Sequence, residues 1–87
     1  MISGVLTGSL AGKIIKAASA LGLPVFIDPK GKQWDRYRGA TCLTPNWPEF
    51  LSYLGIEKLD ERALEHQAKI VIDSHDLQFL LITRGAA

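Results

Sequence analysis

The sequence predicts an open α/β fold built on a mainly parallel sheet. Three short apolar runs alternate with segments of helical periodicity, in the order helix, strand, loop, strand, helix, helix, strand. The runs are apolar at consecutive positions rather than alternate ones, which is typical of parallel strands buried on both faces. We therefore predict one unit over residues 1–87, with about three strands, flanking helices and right-handed crossovers.

The amino-terminal part of the chain predicts a helix followed by the first strand. The helix is expected from about Ser9 to Leu21, and Pro24 blocks its continuation. The first strand is "VFID", residues 25–28, which stops at an Asp-Pro turn signal. Five apolar residues lie at helical spacing on the helix face that we expect to be buried: Leu10, Ile14, Ala17, Ala18 and Leu21.

A polar loop, "KGKQWDRYRG", joins the first strand to the second, which is "TCLT" at residues 41–44. A link of about twelve residues is near the lower limit for a parallel crossover. We expect a short helical turn around Trp34 to Arg38 to supply it. Trp34 and Tyr37 either cover the core or stack on a ligand, and the core is favoured. Cys42 is interpreted as a small core residue.

Two helices and a third strand complete the order. Asn46 opens a short helix, and Asp60 caps a longer helix that runs to about Ser74. The third strand is "LQFLLIT", residues 77–83, and it is apolar nearly throughout. The inward face of the long helix is expected to carry four apolar residues: Leu64, Ala68, Val71 and Ile72.

Composition restricts the class of function. Hydrophobic residues make up 47% of the chain, which is enough for a core, and the net charge of +1 creates no overall field for nucleic acid or an anionic membrane. A single cysteine fits a reducing, cytoplasmic setting. We recognise no signal peptide, and no apolar run approaches the roughly 18–20 residues of a membrane span.

Polar residues collect where each predicted strand ends. The first strand ends in residues 28–31, the second in residues 44–46 with Glu49 one turn further on, and the third in residues 83–85. Because the carboxyl ends of parallel strands meet at one edge of a sheet, the three clusters should lie together there. Ligands of open α/β sheets bind at that edge.

Each cluster also has an ordinary structural interpretation, which the local pattern favours at the first two strand ends and leaves equal to a ligand role at the third. Asn46 and Glu49 fit a helix N-cap and its N3 partner, although a helix N-terminus also attracts anions and a glutamate there suits a metal ion. The Asp-Pro pair after the first strand is often a plain turn. Thr83 beside Gly85 suits a turn or the close approach of a ligand.

The basic residues of the polar loop leave two interpretations open. They form either a solvated loop or an electrostatic clamp for a phosphorylated substrate, and they are Lys30, Lys32, Arg36 and Arg38. His66 and His75 are interpreted as surface or packing residues. The sequence has no cluster of metal-ligating histidines and cysteines, no Walker-type loop and no G-x-G-x-x-G.

The segment Val25–Phe50, "VFIDPKGKQWDRYRGATCLTPNWPEF", resembles the PfkB (ribokinase-like) carbohydrate kinases. The combination of "DPKG", "RYRGAT" and "LTPN" followed by "EF" is specific. Within the family it is most similar to the heptose 7-phosphate kinase domain of the bifunctional ADP-heptose synthesis protein. The resemblance implies a partial ribokinase-like, Rossmann-like fold. It also implies ATP-dependent phosphorylation of D-glycero-β-D-manno-heptose 7-phosphate, which serves lipopolysaccharide core biosynthesis.

The resemblance also implies roles for individual residues. Asn46 and Glu49 match the family's Asn-x-x-Glu, which helps to place Mg²⁺, largely through water, and the phosphates of ATP. Asp28 and Lys30 match its Asp-Pro-Lys, which lies on the substrate side of the phosphoryl-transfer centre, and Lys30 also reaches the phosphates. These roles suit a reaction that depends on positioning and charge neutralisation.

The resemblance extends to the third strand end, but one segment of the family does not occur in the chain. Thr83 and Gly85 match the family's Thr-x-Gly, which borders the nucleotide. The family's Gly-Ala-Gly-Asp segment, which supplies the anion hole and the catalytic base, does not occur in this sequence. We therefore expect an internal fragment of a kinase domain that is inactive alone and either forms a homo-oligomer or belongs to a larger chain. The alternative is a small non-catalytic α/β module that self-associates or binds a partner protein.

Overall fold

The computed structural model describes residues 8–84 as three helices and a three-stranded sheet, as predicted. In chain order the elements are α1 (Gly8–Ala20), β1 (Phe26–Ile27), a 3₁₀ turn (Trp34–Tyr37), β2 (Cys42–Leu43), α2 (Trp47–Leu54), α3 (Glu61–Ser74) and β3 (Phe79–Leu80). None of these helices is long and apolar enough to cross a membrane.

The sheet has the strand order β1-β2-β3, and both pairings are parallel, as predicted. Side chains alternate between the two faces of a strand, so the register assigns each residue to a face. Phe26, Cys42 and Phe79 are in register on one face, and Ile27, Leu43 and Leu80 are in register on the other.

The two faces of the sheet differ in burial. Ile27 and Leu43 are 1% and 0% exposed and belong to the core that also holds Phe50 of α2 and Val71 of α3. On the opposite face, the described part of the chain leaves three side chains open to solvent: Phe26, Phe79 and Leu81, of which Phe79 is 60% exposed. Within residues 8–84, the expectation that the strands are buried on both faces is therefore wrong at Phe26 and Phe79, whereas Cys42 on the same face is 2% exposed.

The 3₁₀ turn supplies the crossover between β1 and β2, as predicted. Trp34 and Tyr37 are both 0% exposed, so both aromatic rings belong to the core rather than to a ligand site. The Trp34 indole N–H donates to the Gly31 carbonyl at 3.1 Å. Its ring stacks on Tyr53 of α2, with 4.1 Å between the centroids and 7° between the planes.

The buried face of α1 agrees with the prediction only in part, at Ala18, which packs against the core. The residues that enter the core are Ala11 and Ile15, whereas Leu10 and Leu21 are 46% and 73% exposed. This helix is apolar around most of its circumference, so either of two apolar stripes could face the core. One stripe contains Leu10 and Leu21, and the other contains Ala11 and Ile15. The 3₁₀ turn decides between them, because α1 packs against it and Gly39 lies beside Ile15.

The other helices follow the predicted boundaries. Asp60 caps α3 with a 2.8 Å hydrogen bond from the Ala63 N–H to its carboxylate. Gly55 ends α2 at φ 73°, a left-handed conformation that favours glycine. Cys42 is 2% exposed, as expected of a small core residue, and burial raises the pKa of its thiol.

Candidate functional site

The polar ends of the three strands converge on one cavity. It has a volume of about 440 Å³ and lies at the carboxyl-terminal edge of the sheet. Its lining residues are Asp28, Lys30, Thr44, Asn46, Glu49, Leu81 and Thr83. Asp28, Lys30, Asn46, Glu49 and Thr83 are hereafter called the carboxyl-edge cluster.

Backbone hydrogen bonds beyond the strands hold these ends together. The Thr44 N–H donates to the Ile27 carbonyl at 2.9 Å, which joins the exits of β1 and β2. Asn46 forms a parallel bridge with Thr83, in which the Trp47 N–H donates to the Thr83 carbonyl at 2.7 Å. The site is therefore positioned by main-chain pairing, although each named strand has two residues.

Lys30 links the first strand end to α2. Its ammonium nitrogen lies 3.2 Å from Asp28 Oδ2 and 3.5 Å from Glu49 Oε2. The hydrogen bond to Asp28, assisted by the charges of Asp28 and Glu49, raises the pKa of Lys30. The ammonium therefore stays charged at neutral pH. Two carboxylates and one ammonium give this group a net charge of −1.

Asn46 and Glu49 form a complete capping box at the start of α2. Asn46 Oδ1 accepts from the Glu49 N–H, and Glu49 Oε1 accepts from the Asn46 N–H, both at 2.8 Å. The structural interpretation of this pair is thus correct. The box also fixes the Glu49 carboxylate, with Oε1 committed to the backbone and Oε2 directed toward Lys30.

The donor set fits a water-mediated magnesium ion better than a fully protein-ligated one. Mg²⁺ usually keeps several waters and is held by one or two carboxylates together with substrate phosphates. Asp28 and Glu49 supply two such carboxylates, 32% and 24% exposed. Among residues 8–84 no group of three or more histidine, cysteine or acidic side chains is arranged to hold a metal.

Leu81 is a lining residue that we did not predict. It is 56% exposed and lies two residues before Thr83, so both side chains are on the same face of the third strand. That face is the one that carries Phe26 and Phe79. The spacing of two residues between Leu81 and Thr83 was the signal that could have identified it, because side chains two apart on a strand lie on the same face.

The remaining basic residues of the polar loop do not join the cavity. Arg36 donates from Nε to the Gln33 carbonyl at 2.9 Å, and Arg38 donates to the Ser74 carbonyl at 2.8 Å. Lys32 is exposed and is absent from the lining. Lys30 alone of these four therefore contributes to the site within the described residues.

The third strand end is held against α2 by a cation–π contact. The guanidinium carbon of Arg84 lies 4.1 Å from the ring centroid of Trp47. Gly85, the second residue of the Thr-x-Gly match, lies outside the described residues.

A group at the other end of α2, hereafter the aromatic–histidine cluster, consists of the buried Trp34 and His75 and the partly buried Tyr53. His75 Nδ1 lies 2.9 Å from the Val71 carbonyl. Nδ1 also lies 2.9 Å from Ser74 Oγ, and Nε2 lies 3.1 Å from the Tyr53 hydroxyl. Because a carbonyl only accepts, we assign the ring proton to Nδ1, which makes Nε2 an acceptor for the Tyr53 hydroxyl. Burial, and secondly the charge of Asp35, raises the pKa of Tyr53.

His75 is thus a packing residue, as expected, since it is 2% exposed and its ring is fully hydrogen-bonded. Asp35, an exposed carboxylate, lies 3.4 Å from Nε2 and forms an ion pair when the ring is protonated. His66 is exposed on α3.

No family model matches the chain. Curated relatives do match over nearly all of it. The chain is 45% identical over 87 residues to the bifunctional protein HldE of Pectobacterium atrosepticum, covering 98% of this chain and 18% of the relative. It is 41% identical over 84 residues to HldE of Trichlorobacter lovleyi, covering 97% and 17%. The chain therefore spans less than a fifth of the length of these relatives.

Solved structures show the same fold. Phosphofructokinase-2 from Escherichia coli in complex with potassium superposes with a TM-score of 0.68 at 17% identity, over 93% of this chain and 29% of that one. A point mutant of the same enzyme gives a TM-score of 0.70 at 17% identity, with the same coverage. The chain is therefore similar to a segment of the bifunctional protein HldE, and it has the ribokinase-like fold of phosphofructokinase-2.

Proposed function

We propose that this chain is part of a carbohydrate kinase domain and contributes the Mg·ATP side of its phosphoryl-transfer site. The substrate that we propose is D-glycero-β-D-manno-heptose 7-phosphate. The similarity to HldE over 97–98% of the chain supports this assignment. The observation that carries it is the convergence of the carboxyl-edge cluster on one cavity, with Lys30 between Asp28 and Glu49.

We assign the metal to Glu49 and Asn46. The capping box holds the Glu49 carboxylate in one orientation, which leaves Oε2 to bind a water of the metal. The first turn of α2 adds the partial positive charge of a helix N-terminus beside the phosphates. Mg²⁺, when bound, neutralises the charge that develops on the transferred phosphoryl group.

Lys30 and Asp28 act on the substrate side in this proposal. Lys30 is charged at neutral pH and is 44% exposed, so its ammonium can leave Asp28 for a phosphate oxygen without a large desolvation cost. Asp28 then accepts a hydrogen bond from a substrate hydroxyl. Thr83 and Gly85 border the nucleotide at the third strand end.

We also propose that the chain alone does not transfer a phosphoryl group. Positioning groups do not replace the base that accepts the hydroxyl proton, and the Gly-Ala-Gly-Asp segment that supplies it in this family does not occur among the 87 residues. A coupled assay of ADP release with heptose 7-phosphate tests this. Turnover by the isolated chain would refute it.

Mg·ATP titration of the chain, followed by Trp47 fluorescence, tests the assignment of the site. Trp47 lies in the first turn of α2, so its emission reports on this edge of the sheet. Glu49→Gln keeps an oxygen that can accept from the Asn46 N–H but removes the charge, and we expect it to weaken binding at least about tenfold. Glu57→Gln, at an exposed glutamate after α2, is the matched control.

A non-catalytic interaction module is the second candidate, and the exposed face of the sheet favours it. Phe26, Phe79 and Leu81 are open to solvent on one face, which is typical of a surface that meets another polypeptide. Failure of the wild-type chain to bind Mg·ATP would favour this module. Light scattering that shows a compact monomer, together with no binding of a hydrophobic dye, would count against it.

A further inference from the structure

A second concave surface carries a concentration of positive charge. It is a groove of about 510 Å³ between α1 and the turns that precede β2 and β3. Three basic side chains and one acidic side chain line it: Lys13, Lys16, Arg38 and Asp76. Residues that precede parallel strands lie at the amino-terminal edge of the sheet. The groove is therefore at the opposite edge from the carboxyl-edge cluster.

The charge of this groove exceeds that of the whole chain. Three cations and one carboxylate give the groove a net charge of +2, whereas the chain has a net charge of +1. The rest of the chain therefore carries a net charge of −1. A concave surface with a net charge focuses its field and raises the local concentration of ions of opposite charge.

The lysines of the groove are not neutralised by neighbouring residues. Lys13 and Lys16 are three residues apart on α1, so their side chains are neighbours on one side of the helix. Within residues 8–84, neither lysine has a carboxylate within 4.0 Å, since the ion pairs there involve Lys30 and His75. Both ammonium groups are thus available to an external anion.

Arg38 is held in place on the facing side of the groove. Its Nη1 donates to the Ser74 carbonyl in the last turn of α3 at 2.8 Å, which orients the guanidinium and leaves its other N–H groups available. The adjacent residue is Gly39, and the space beside Gly12 of α1, where a Cβ would lie, is open. An anion can therefore approach the floor of the groove closely.

We propose that this groove binds the phosphate group of a small phosphorylated molecule, at a site separate from the carboxyl-edge cluster. A fixed guanidinium with two mobile ammonium groups is the donor set that proteins use for phosphate dianions. A volume of about 510 Å³ is that of a small-molecule site, which favours one compact ligand over an extended acidic polypeptide. The carboxylate of Asp76 repels the anion and lowers the affinity of the groove for it.

Titration of the 87-residue chain with inorganic phosphate and with ribose 5-phosphate tests the proposal, with backbone amide chemical shifts as the readout. We expect both probes to shift the amides of residues 12–16, 38–39 and 76. The double variant Lys13→Gln/Lys16→Gln should weaken binding about tenfold or more, because two charge-assisted contacts are lost. Glutamine has nearly the helix propensity of lysine, so the fold is retained.

Asp76→Asn distinguishes phosphate binding in the groove from a general attraction of anions to the charged surface. The residue has φ 52°, which asparagine adopts as readily as aspartate, so the substitution removes charge without backbone strain. We expect it to tighten phosphate binding about threefold to tenfold, because a like charge leaves the groove. Lys58→Gln, at an exposed lysine outside the groove, should leave the affinity unchanged.

Lys30→Gln separates this site from the proposed kinase site. If phosphate binds in the groove, Lys30→Gln leaves the affinity and the pattern of shifts unchanged. Equal affinities of the wild type and the Lys13→Gln/Lys16→Gln variant would overturn the proposal, as would shifts confined to Lys30 and residues 44–49. Loss of binding in Lys58→Gln to the same extent would also overturn it.

Discussion

The carboxyl-edge cluster and the aromatic–histidine cluster lie at opposite ends of α2 and use their polar atoms differently. In the first, Lys30 and Glu49 are part-exposed, and each keeps bonding capacity beyond its protein partners. In the second, both ring nitrogens of His75 are paired and the ring is 2% exposed. The first arrangement suits binding, and the second stabilises the chain. Substitutions should therefore separate into effects on ligand affinity and effects on unfolding.

The largest expected effect lies in the aromatic–histidine cluster. Trp34→Ala removes a fully buried indole that stacks on Tyr53. We expect a loss of about 3–5 kcal/mol in the free energy of unfolding, which is a large share of the roughly 5–15 kcal/mol typical of a native protein. Urea denaturation measures it. Phe79→Ala, at a 60% exposed ring, is the control and should cost far less.

A comparison of two tyrosine-to-phenylalanine substitutions tests how much hydrogen bonding in the core contributes to stability. Tyr53→Phe leaves Nε2 of His75 buried without its donor, and we expect a loss of about 1–2 kcal/mol. The hydroxyl of Tyr37 is buried and has no hydrogen-bond partner in the described part of the chain. Tyr37→Phe should therefore be neutral or raise the free energy of unfolding by up to about 1 kcal/mol.

The same urea measurement decides this comparison. If Tyr53→Phe costs no more unfolding free energy than Tyr37→Phe does, the assignment of the hydroxyl donor to His75 is wrong.

At the carboxyl edge, substitutions of the two capping-box residues should affect different quantities, stability at Asn46 and Mg·ATP affinity at Glu49. Asn46→Ala removes the acceptor for the Glu49 N–H and should cost about 1 kcal/mol of unfolding free energy. Asn46→Asp keeps the acceptor and should retain most of that stability. Glu49→Gln should leave the urea midpoint nearly unchanged while Mg·ATP affinity falls. A Glu49→Gln chain that unfolds like Asn46→Ala would show that the pair acts mainly as a cap.

The smallest expected effect concerns alkaline pH. Burial raises the pKa of Cys42 above its ordinary value of 9.0. The stability that the neutral thiol contributes is thus fully present below pH 9.0 and is lost as the pH rises through the folded-state pKa. Unfolding free energies at pH 8 and pH 10 should differ less in Cys42→Ala than in the wild type. An equal difference in both chains would contradict this.

The parallel sheet and the convergence of the three polar strand ends could be predicted from local pattern. Consecutive apolar residues followed by polar clusters at three strand ends indicated both, because parallel strands end at one edge. The caps at Asn46 and Asp60 were predictable for the same reason, since capping depends on residues close in sequence.

Features set by long-range packing were not predictable in this way. The choice of the Ala11–Ile15 stripe of α1 depends on the 3₁₀ turn, which lies about twenty residues later in the chain. The pairing of His75 with Tyr53 joins residues 22 apart and has no local signature. The exposure of Phe79 was not predictable either, because an apolar strand predicts burial whether or not another element packs on that face.

We propose above all that the carboxyl-edge cluster is an organised site for Mg·ATP. Backbone amide chemical shifts of the chain, recorded with ATP in the presence and absence of Mg²⁺, test it most directly. We predict Mg²⁺-dependent shifts at residues 28–31, 44–50 and 83–84, with the amides around His75 and Tyr53 unchanged. Mg²⁺-dependent shifts that avoid Asn46 and Glu49, or none at all at saturating Mg·ATP, would contradict the claim.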